Sequence, residues 1–221
     1  VIAIQEEIEG IDLEFVQQDL PKILSSMRMG ADRIRQIVSS LRTFSRLDEA
    51  EYKEVNLHEG IDSTLVILES RLKRNPTYPE IQVVRHYGDL PLIECYAGQL
   101  NQVFLNILTN AIDALEERDQ DRSVAEMTQI PSTIRISTKL VQFDRVVICI
   151  ADNALGIPVA VKQQIFDPFF TTKPVGKGTG MGMSISYQII TENHRGSLKC
   201  FSTPGRGAKF VIEIPLWQQR K

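Results

Sequence analysis

Four stretches of this chain carry residue types at spacings that suit phosphate and nucleobase chemistry. The first is Asn106-Ile107-Leu108-Thr109-Asn110-Ala111-Ile112-Asp113. On a helix, Asn106, Asn110 and Asp113 stand at i, i+4 and i+7 and share one face, which Gln102 extends. Ile107, Ala111 and Ala114 are free to face a core. Amides on such a helix are costly to bury unless something polar fills the space beside them. An amide oxygen is a neutral hard ligand and suits Mg²⁺, which keeps waters and phosphates in its shell. Taken alone, the stripe also fits a solvent-facing helix side.

The second stretch is Asp152-Asn153-Ala154-Leu155-Gly156-Ile157-Pro158, directly after an apolar run. A carboxylate at a strand end can accept from an exocyclic amine such as that of adenine. An Asx turn with glycine at positive φ explains the same residues. The third is Phe166-Asp167-Pro168-Phe169-Phe170-Thr171-Thr172-Lys173. Its aromatics need a core to land on, and Lys173 offers a point charge to a phosphate. A hydrophobic loop plug with a solvated lysine is the plainer reading. The fourth is Gly176-Lys177-Gly178-Thr179-Gly180-Met181-Gly182, which runs into a helix. Alternating glycines let backbone N–H groups converge, and a helix N-terminus adds positive partial charge. Together they form a phosphate cradle. The stretch is not a Walker loop, since no Gly-Lys pair is followed by Ser or Thr. It is not a dinucleotide fingerprint either, because Met183 stands where the third glycine is needed.

These stretches need a scaffold, and the hydrophobic pattern outlines one. Residues 12–47 read as helix, with Pro21 suited to a first turn. Ile23, Met27, Ile34, Ile37, Leu41 and Phe44 form an apolar stripe that must be buried in a hairpin or dimeric bundle. Residues 48–56 are polar and mark a boundary. A helix is expected over 57–73, with Asn56 as cap and Ile61, Leu65, Leu68 and Leu72 as its stripe. Strands are expected at 81–85 and 92–95, then a helix over 97–117 and a polar loop over 118–132. A hairpin follows at 133–141 and 145–151. The segment 152–182 reads as irregular, with one short helix near 158–165. A helix over 183–193 and two strands at 196–201 and 209–214 complete the pattern. The order predicts an α+β fold, a mostly antiparallel sheet layered with helices and preceded by a helical segment.

Composition bounds the rest. The chain has 221 residues, 43% hydrophobic and 24% charged, with net charge −3. Those values suit a folded soluble protein and speak against nucleic acid as the main partner. No apolar run approaches the roughly 20 residues of a membrane span, so no membrane contact is expected. Cys95, Cys149 and Cys200 lack Cys-x-x-Cys spacing and read as buried reduced thiols in a cytoplasmic protein. Residues 1–20 are acidic and residues 21–46 basic, which reads as two solvated helix faces. Residue 1 is Val, so the chain is expected to be cut from a longer one.

In order and spacing, the four stretches resemble the N, G1, F and G2 boxes of the Bergerat-type ATP-binding domain of sensor histidine kinases. The turn Pro204-Gly205-Arg206-Gly207-Ala208-Lys209-Phe210 looks like the last glycine box. Ser40-Leu41-Arg42-Thr43-Phe44-Ser45-Arg46 looks like the second helix of the dimerisation and phosphotransfer hairpin. The wording is closest to the nitrogen-regulator class, and the whole chain looks like a cyanobacterial sensor kinase core. The resemblance implies a partial dimerisation segment over 1–49 and an ATP-binding catalytic domain over 50–221. It implies ATP and Mg²⁺ as cofactors, with Asn110 as the metal ligand and Asn106 and Asp113 beside it. Asp152 reads the adenine amine, and Asn153, Gly156 and Ile157 shape its pocket. Phe170, Thr171, Thr172 and Lys173 belong to the lid. Gly178, Thr179, Gly180, Met181 and Gly182 line the triphosphate. A response regulator receiver domain and a second copy of the chain are the implied partners.

Three departures from the family pattern stand out. Ala154 replaces the first glycine of the G1 box, and Ala208 replaces a threonine of the last box. Both are expected to weaken nucleotide binding, since one hydrogen bond contributes about 0.5–1.5 kcal/mol. The phosphoacceptor histidine is absent. His58, His86 and His194 lie on the ATP-binding side, so the acceptor is expected upstream of Val1. Two other functions compete: a nucleotide-regulated binding module, and an ATPase of the gyrase and MutL branch. The second needs a glutamate where this chain has Asn106.

Overall fold

The structure is a computed structural model that describes residues 19–28, 31, 52–74, 78–142, 144–173 and 180–217. Residues 19–28 are helical, and Ile23 and Met27 of the expected stripe are exposed there. Ile34, Ile37, Leu41 and Phe44 lie outside the described residues, as does the hairpin they were expected to build.

A short antiparallel pair opens the remainder. β1 (Lys53–Val55) pairs with β3 (Ile93–Cys95), so the polar stretch taken as a boundary ends in a strand. Three residues are too few to show a period of two. Asn56 caps α1 (Leu57–Ile67) by accepting from the His58 N–H at 3.0 Å, as its type predicts. The helix expected to run unbroken to 73 is split at Leu68, which has ψ near 0°. α2 (Glu69–Lys73) resumes after it, and the stripe Ile61, Leu65, Leu68, Leu72 stays buried across the break.

The main sheet has five strands in the order β2-β4-β5-β7-β6, from Gln82–His86, Thr133–Val141, Arg145–Asp152, Ala208–Pro215 and Ser197–Ser202. Only β2 and β4 run parallel. The alternation predicts the core side: Val146, Ile148 and Ile150 of β5 join Phe210, Ile212 and Ile214 of β7 in the core. α3 (Ala97–Asp119) lies on that face and contributes Leu100, Val103, Phe104, Ile107, Leu108, Ile112 and Leu115. It packs against α1, β5 and α6 (Gly182–Gln188). α5 (Val159–Lys162) falls where a short helix was expected. Among the described residues, no helix is long and apolar enough to cross a membrane.

Two further differences have local causes. The loop expected over 118–132 contains α4 (Val124–Gln129). Ser123 and Glu126 cap it reciprocally, a signal present in the sequence as Ser-x-x-Glu. The helix expected over 183–193 ends at Gln188 and widens into a π turn over Ile189–Asn193. The wider turn leaves the Ile189 carbonyl to accept from the backbone and ring nitrogens of His194. His194 Nε2 in turn accepts from the Tyr96 N–H at 3.2 Å, tying the turn to the start of α3. Cys95 is buried and Cys149 and Cys200 are half-buried; all three are free thiols.

The end of α3 is fixed by charge. Asp119 is 3% exposed and accepts from Arg74 at 2.7 Å, Arg122 at 2.9 Å, Arg118 at 3.1 Å and the Ser132 hydroxyl. Arg122 also donates to the Glu126 and Ile130 carbonyls, so α2, α3, α4 and the start of β4 meet on one carboxylate. Burial pushes the Asp119 pKa up, but Ser132, Arg74 and Arg122 outweigh it and hold the group at about 2 instead of 3.8. A depressed folded pKa adds stability above the unfolded value and loses it as pH falls through the folded one. The stability difference between the wild type and Asp119→Asn therefore shrinks by about 2 kcal/mol between pH 4 and pH 2. Denaturant melts at a series of pH values measure it, and a difference that stays constant over that interval refutes the assignment.

Candidate nucleotide site

The polar face of α3 divides into two functions. Asn106 donates to the Gly182 carbonyl at 2.9 Å and to the Ser186 hydroxyl at 3.0 Å. It thereby docks the first turn of α6, and a Cβ at Gly182 would sit 3.3 Å from the Asn106 amide. One turn on, Asn110 Oδ1 accepts from Lys173 Nζ at 3.0 Å, and Asp113 pairs with the same ammonium. Arg71 Nη2 reaches both Asp113 and Glu116 at 2.6 Å. Burial pushes the Asp113 pKa up, and Lys173 and Arg71 bring it below the ordinary carboxylate value. Asn110 and Asp113 thus already share a cation. A neutral amide oxygen beside a carboxylate is also a donor set that Mg²⁺ accepts, so the residues present fit that ion. Among the described residues, no cluster of three or more His, Cys, Asp or Glu side chains forms a separate metal site.

The second centre lies at the end of β5. Asp152 Oδ1 accepts from the Ala154 N–H at 2.9 Å and the Ala208 N–H at 3.2 Å. Both positions that depart from the family wording therefore act through backbone groups, and both methyls are buried. Burial raises the Asp152 pKa, opposed by those N–H donors and by the charge of Arg118. Gly156 has φ +76°, and a Cβ there would lie 2.4 Å from the Thr203 carbonyl oxygen. Gly207 has φ +79° and packs against the Asp152 carbonyl in the same way. Ser202 stitches the two turns together: its hydroxyl accepts from the Ile157 N–H and donates to the Gly207 carbonyl, each at 2.8 Å. Sequence reasoning passed over Ser202 because a lone serine in a strand carries no pattern. Asn153 turns to the opposite side, where its side chain accepts from the Thr133 N–H at 2.8 Å and donates to the Pro131 carbonyl at 2.9 Å. It holds the loop against the start of β4.

Between these centres runs the aromatic loop. Phe166 packs against the core with its ring 5.1 Å from that of Tyr187, so the loop has one anchor there. Phe169 is 75% exposed and has φ +66°. Gly180 meets the Phe169 backbone, and a Cβ on it would lie 2.4 Å from that carbonyl carbon. The two flanks of the segment therefore touch main chain to main chain. Phe170 is half-buried, Thr171 Oγ1 accepts from the Lys173 N–H at 3.1 Å, and Thr172 is exposed. Met181 precedes α6, and its carbonyl accepts from Ser184 Oγ at 2.9 Å. Gly176, Lys177, Gly178 and Thr179 lie outside the described residues.

Two of the three histidines are engaged in the fold. His58 stacks on Tyr87 at 4.2 Å and shares a hydrogen bond with Thr138, and burial lowers its pKa. His194 is fully buried, with its pKa lowered for the same reason. His86 ends β2, exposed.

Comparison with known proteins fits this geometry. Residues 96–218 match the model of the histidine kinase-, DNA gyrase B-, and HSP90-like ATPases. The signal transduction histidine-protein kinase AtoS of Escherichia coli K12 is 32% identical over 87% of this chain and 29% of its own length. The sensor kinase CckA of Brucella abortus is 33% identical over 87% of this chain and 20% of its own. The catalytic domain of histidine kinase ThkA, in a nucleotide-free form, superposes with TM-score 0.60 at 28% identity, covering 75% of this chain and 96% of that one. The chain spans less than a third of the length of the two curated relatives. With α3 and its asparagines, Asp152 and the glycine turns all inside the matched region, the chain belongs to the family of histidine kinase-, DNA gyrase B-, and HSP90-like ATPases and resembles its sensor-kinase members.

Proposed function

We propose that this chain is the ATP-binding catalytic core of a cytoplasmic two-component sensor histidine kinase. The observation that carries the reading is the cation held between Asn110 Oδ1 and Asp113, beside the α6 start that Asn106 docks. In this reading Asn110, with Asp113 beside it, would hold Mg²⁺, which would supply positive charge to the ATP phosphates. Asp152 accepts from the adenine 6-amine, and its backbone donors at Ala154 and Ala208 keep the carboxylate oriented. Gly156 and Gly207 let the two turns close behind it. Gly180 and Gly182, with Gly178, Thr179 and Met181, border the triphosphate, and the Lys173 ammonium adds positive charge there.

The γ-phosphoryl group passes in line to an imidazole nitrogen. The bond from phosphorus to the β,γ-bridging oxygen breaks, a P–N bond forms, and ADP leaves. The acceptor is a histidine other than the three present, since His58 and His194 are engaged in the fold and His86 closes a strand. The phosphohistidine then serves a receiver domain, and residues 1–49 pair with a second copy of the chain. A hydrolase of the gyrase and MutL branch would need a base to activate water one turn before Asn110. The residue there is Asn106, an amide whose nitrogen already donates twice, and an amide does not take up a proton at neutral pH.

Two measurements test the proposal. By calorimetry, Asn110→Ala and Asp152→Ala each weaken Mg-ATP binding by about tenfold or more, the scale of a lost hydrogen bond to a charged group. Unchanged affinity in both variants overturns the site. Separately, ATP labelled in its γ-phosphate leaves no acid-labile label on this chain alone. It does label a longer form that carries the acceptor histidine together with Asp152→Ala, once this chain is added. Labelling of His58 refutes the acceptor assignment. A longer form that is never labelled favours the non-enzymatic binding module.

A further inference from the structure

Behind the β5 end, Arg118 occupies a position that neither the box pattern nor the phosphate chemistry assigns. It sits on the last turn of α3 with its side chain 11% exposed. Its guanidinium uses three directions at once. Nε meets Asp119 Oδ1 at 3.1 Å, Nη2 donates to Ser132 Oγ at 2.8 Å, and Nη1 donates to the Asn153 carbonyl. The first two contacts brace the group, because Asp119 and Ser132 are themselves buried and bonded to each other. The third contact reaches the Asn153–Ala154 peptide, whose N–H donates to Asp152 Oδ1. Asn153 fastens the same peptide region from its other side, through Thr133 and Pro131. The charge of Arg118 also favours the carboxylate form of Asp152, against the burial that raises its pKa.

We propose that Arg118 is a positioning residue for base recognition: braced by Asp119 and Ser132, it holds the Asn153 carbonyl and so sets the Asp152 carboxylate where a nucleobase amine meets it. The inference rests on the reading of Asp152 as the adenine acceptor and adds to it the group that positions it. A planar fork fits three fixed acceptors that a lysine ammonium cannot satisfy together. Loss of the fork leaves the Asn153 carbonyl without its charged donor, so the turn that carries Asp152 is no longer held against α3.

The test compares two nucleotides on the 221-residue chain: ATP, and purine riboside triphosphate, which carries hydrogen in place of the 6-amino group. Wild type favours ATP by about tenfold or more, the scale of a hydrogen bond to a charged group. In Arg118→Gln that preference falls below about threefold, while affinity for the amine-free analogue stays near wild type. Arg118→Lys, which keeps the charge without the fork, gives an intermediate preference. A merely structural role for Arg118 weakens both nucleotides together and leaves their ratio unchanged, which overturns the inference. Should Arg118→Gln fail to fold by thermal melting, Arg118→Lys decides: a reduced ratio supports the proposal and a wild-type ratio overturns it. Asp152→Ala separates the two layers. Discrimination lost in Asp152→Ala but kept in both Arg118 variants defeats the positioning role alone. No discrimination in the wild type defeats base reading itself, and the positioning role with it.

Discussion

A carboxylate buried among three guanidinium groups is the constraint on which the back of this molecule depends. Asp119 draws Arg74, Arg118 and Arg122 to one point, and with them α2, α3, α4 and the first residues of β4. Each of these groups offsets the cost of burying the others. Burial alone disfavours the charged carboxylate, and a buried guanidinium stripped of its partner costs several kcal/mol. The members of the cluster therefore stabilise one another, and removing one weakens the rest. That is what allows the irregular stretch between α3 and β4 to take one conformation with so little apolar surface, Met127 being the only buried side chain of α4.

From this cluster the structure runs forward to the base-side loop and along α3 to the cation seat. Two stretches of one helix thus carry the two centres of the proposed site. At its C-terminal turn, Arg118 holds the Asn153 carbonyl. Near its middle, Asn110 and Asp113 hold an ammonium, and Asn106 holds α6. A 23-residue helix with seven or more large apolar side chains in the core is rigid enough to keep both in register. The alanines at 154 and 208 are consistent with this economy. What the fold asks of those positions is an N–H aimed at Asp152, and alanine supplies it as well as glycine or threonine does.

The sequence revealed what periodicity and glycine chemistry encode. The stripe on α3, the β4–β5 hairpin and the glycine turns at 156 and 207 stand as their patterns predict, because each is a local preference reinforced by the core. Its blind spots are equally physical. β1 is three residues long and shows no period. α4 is announced only by Ser123 and Glu126, polar residues in a polar stretch. The break at Leu68 leaves the apolar stripe intact, so no pattern marks it. The π turn answers to His194, whose partners Ile189 and Tyr96 come together only in the folded chain. At the site, Asn106, Asn110 and Asp113 were legible as one face but not as two functions. The division comes from Gly182 and Lys173, more than sixty residues away, reaching the same helix.

The same face also bears on which branch of the ATPase family the chemistry follows. A residue one turn before the metal-side asparagine lies close enough to govern what attacks the γ-phosphate. A carboxylate there takes a proton from water and makes the site a hydrolase. An amide there takes none, and in this chain Asn106 is further committed to the Gly182 carbonyl and Ser186. In the proposed reading Asn106 supplies no base to activate water there, which leaves the phosphoryl group to a nucleophile that needs less help. A neutral imidazole nitrogen carries its own lone pair and meets that requirement. In the proposed reading, one side chain on one helix would join two properties: it docks α6, and it offers no proton acceptor by which water could compete with a histidine.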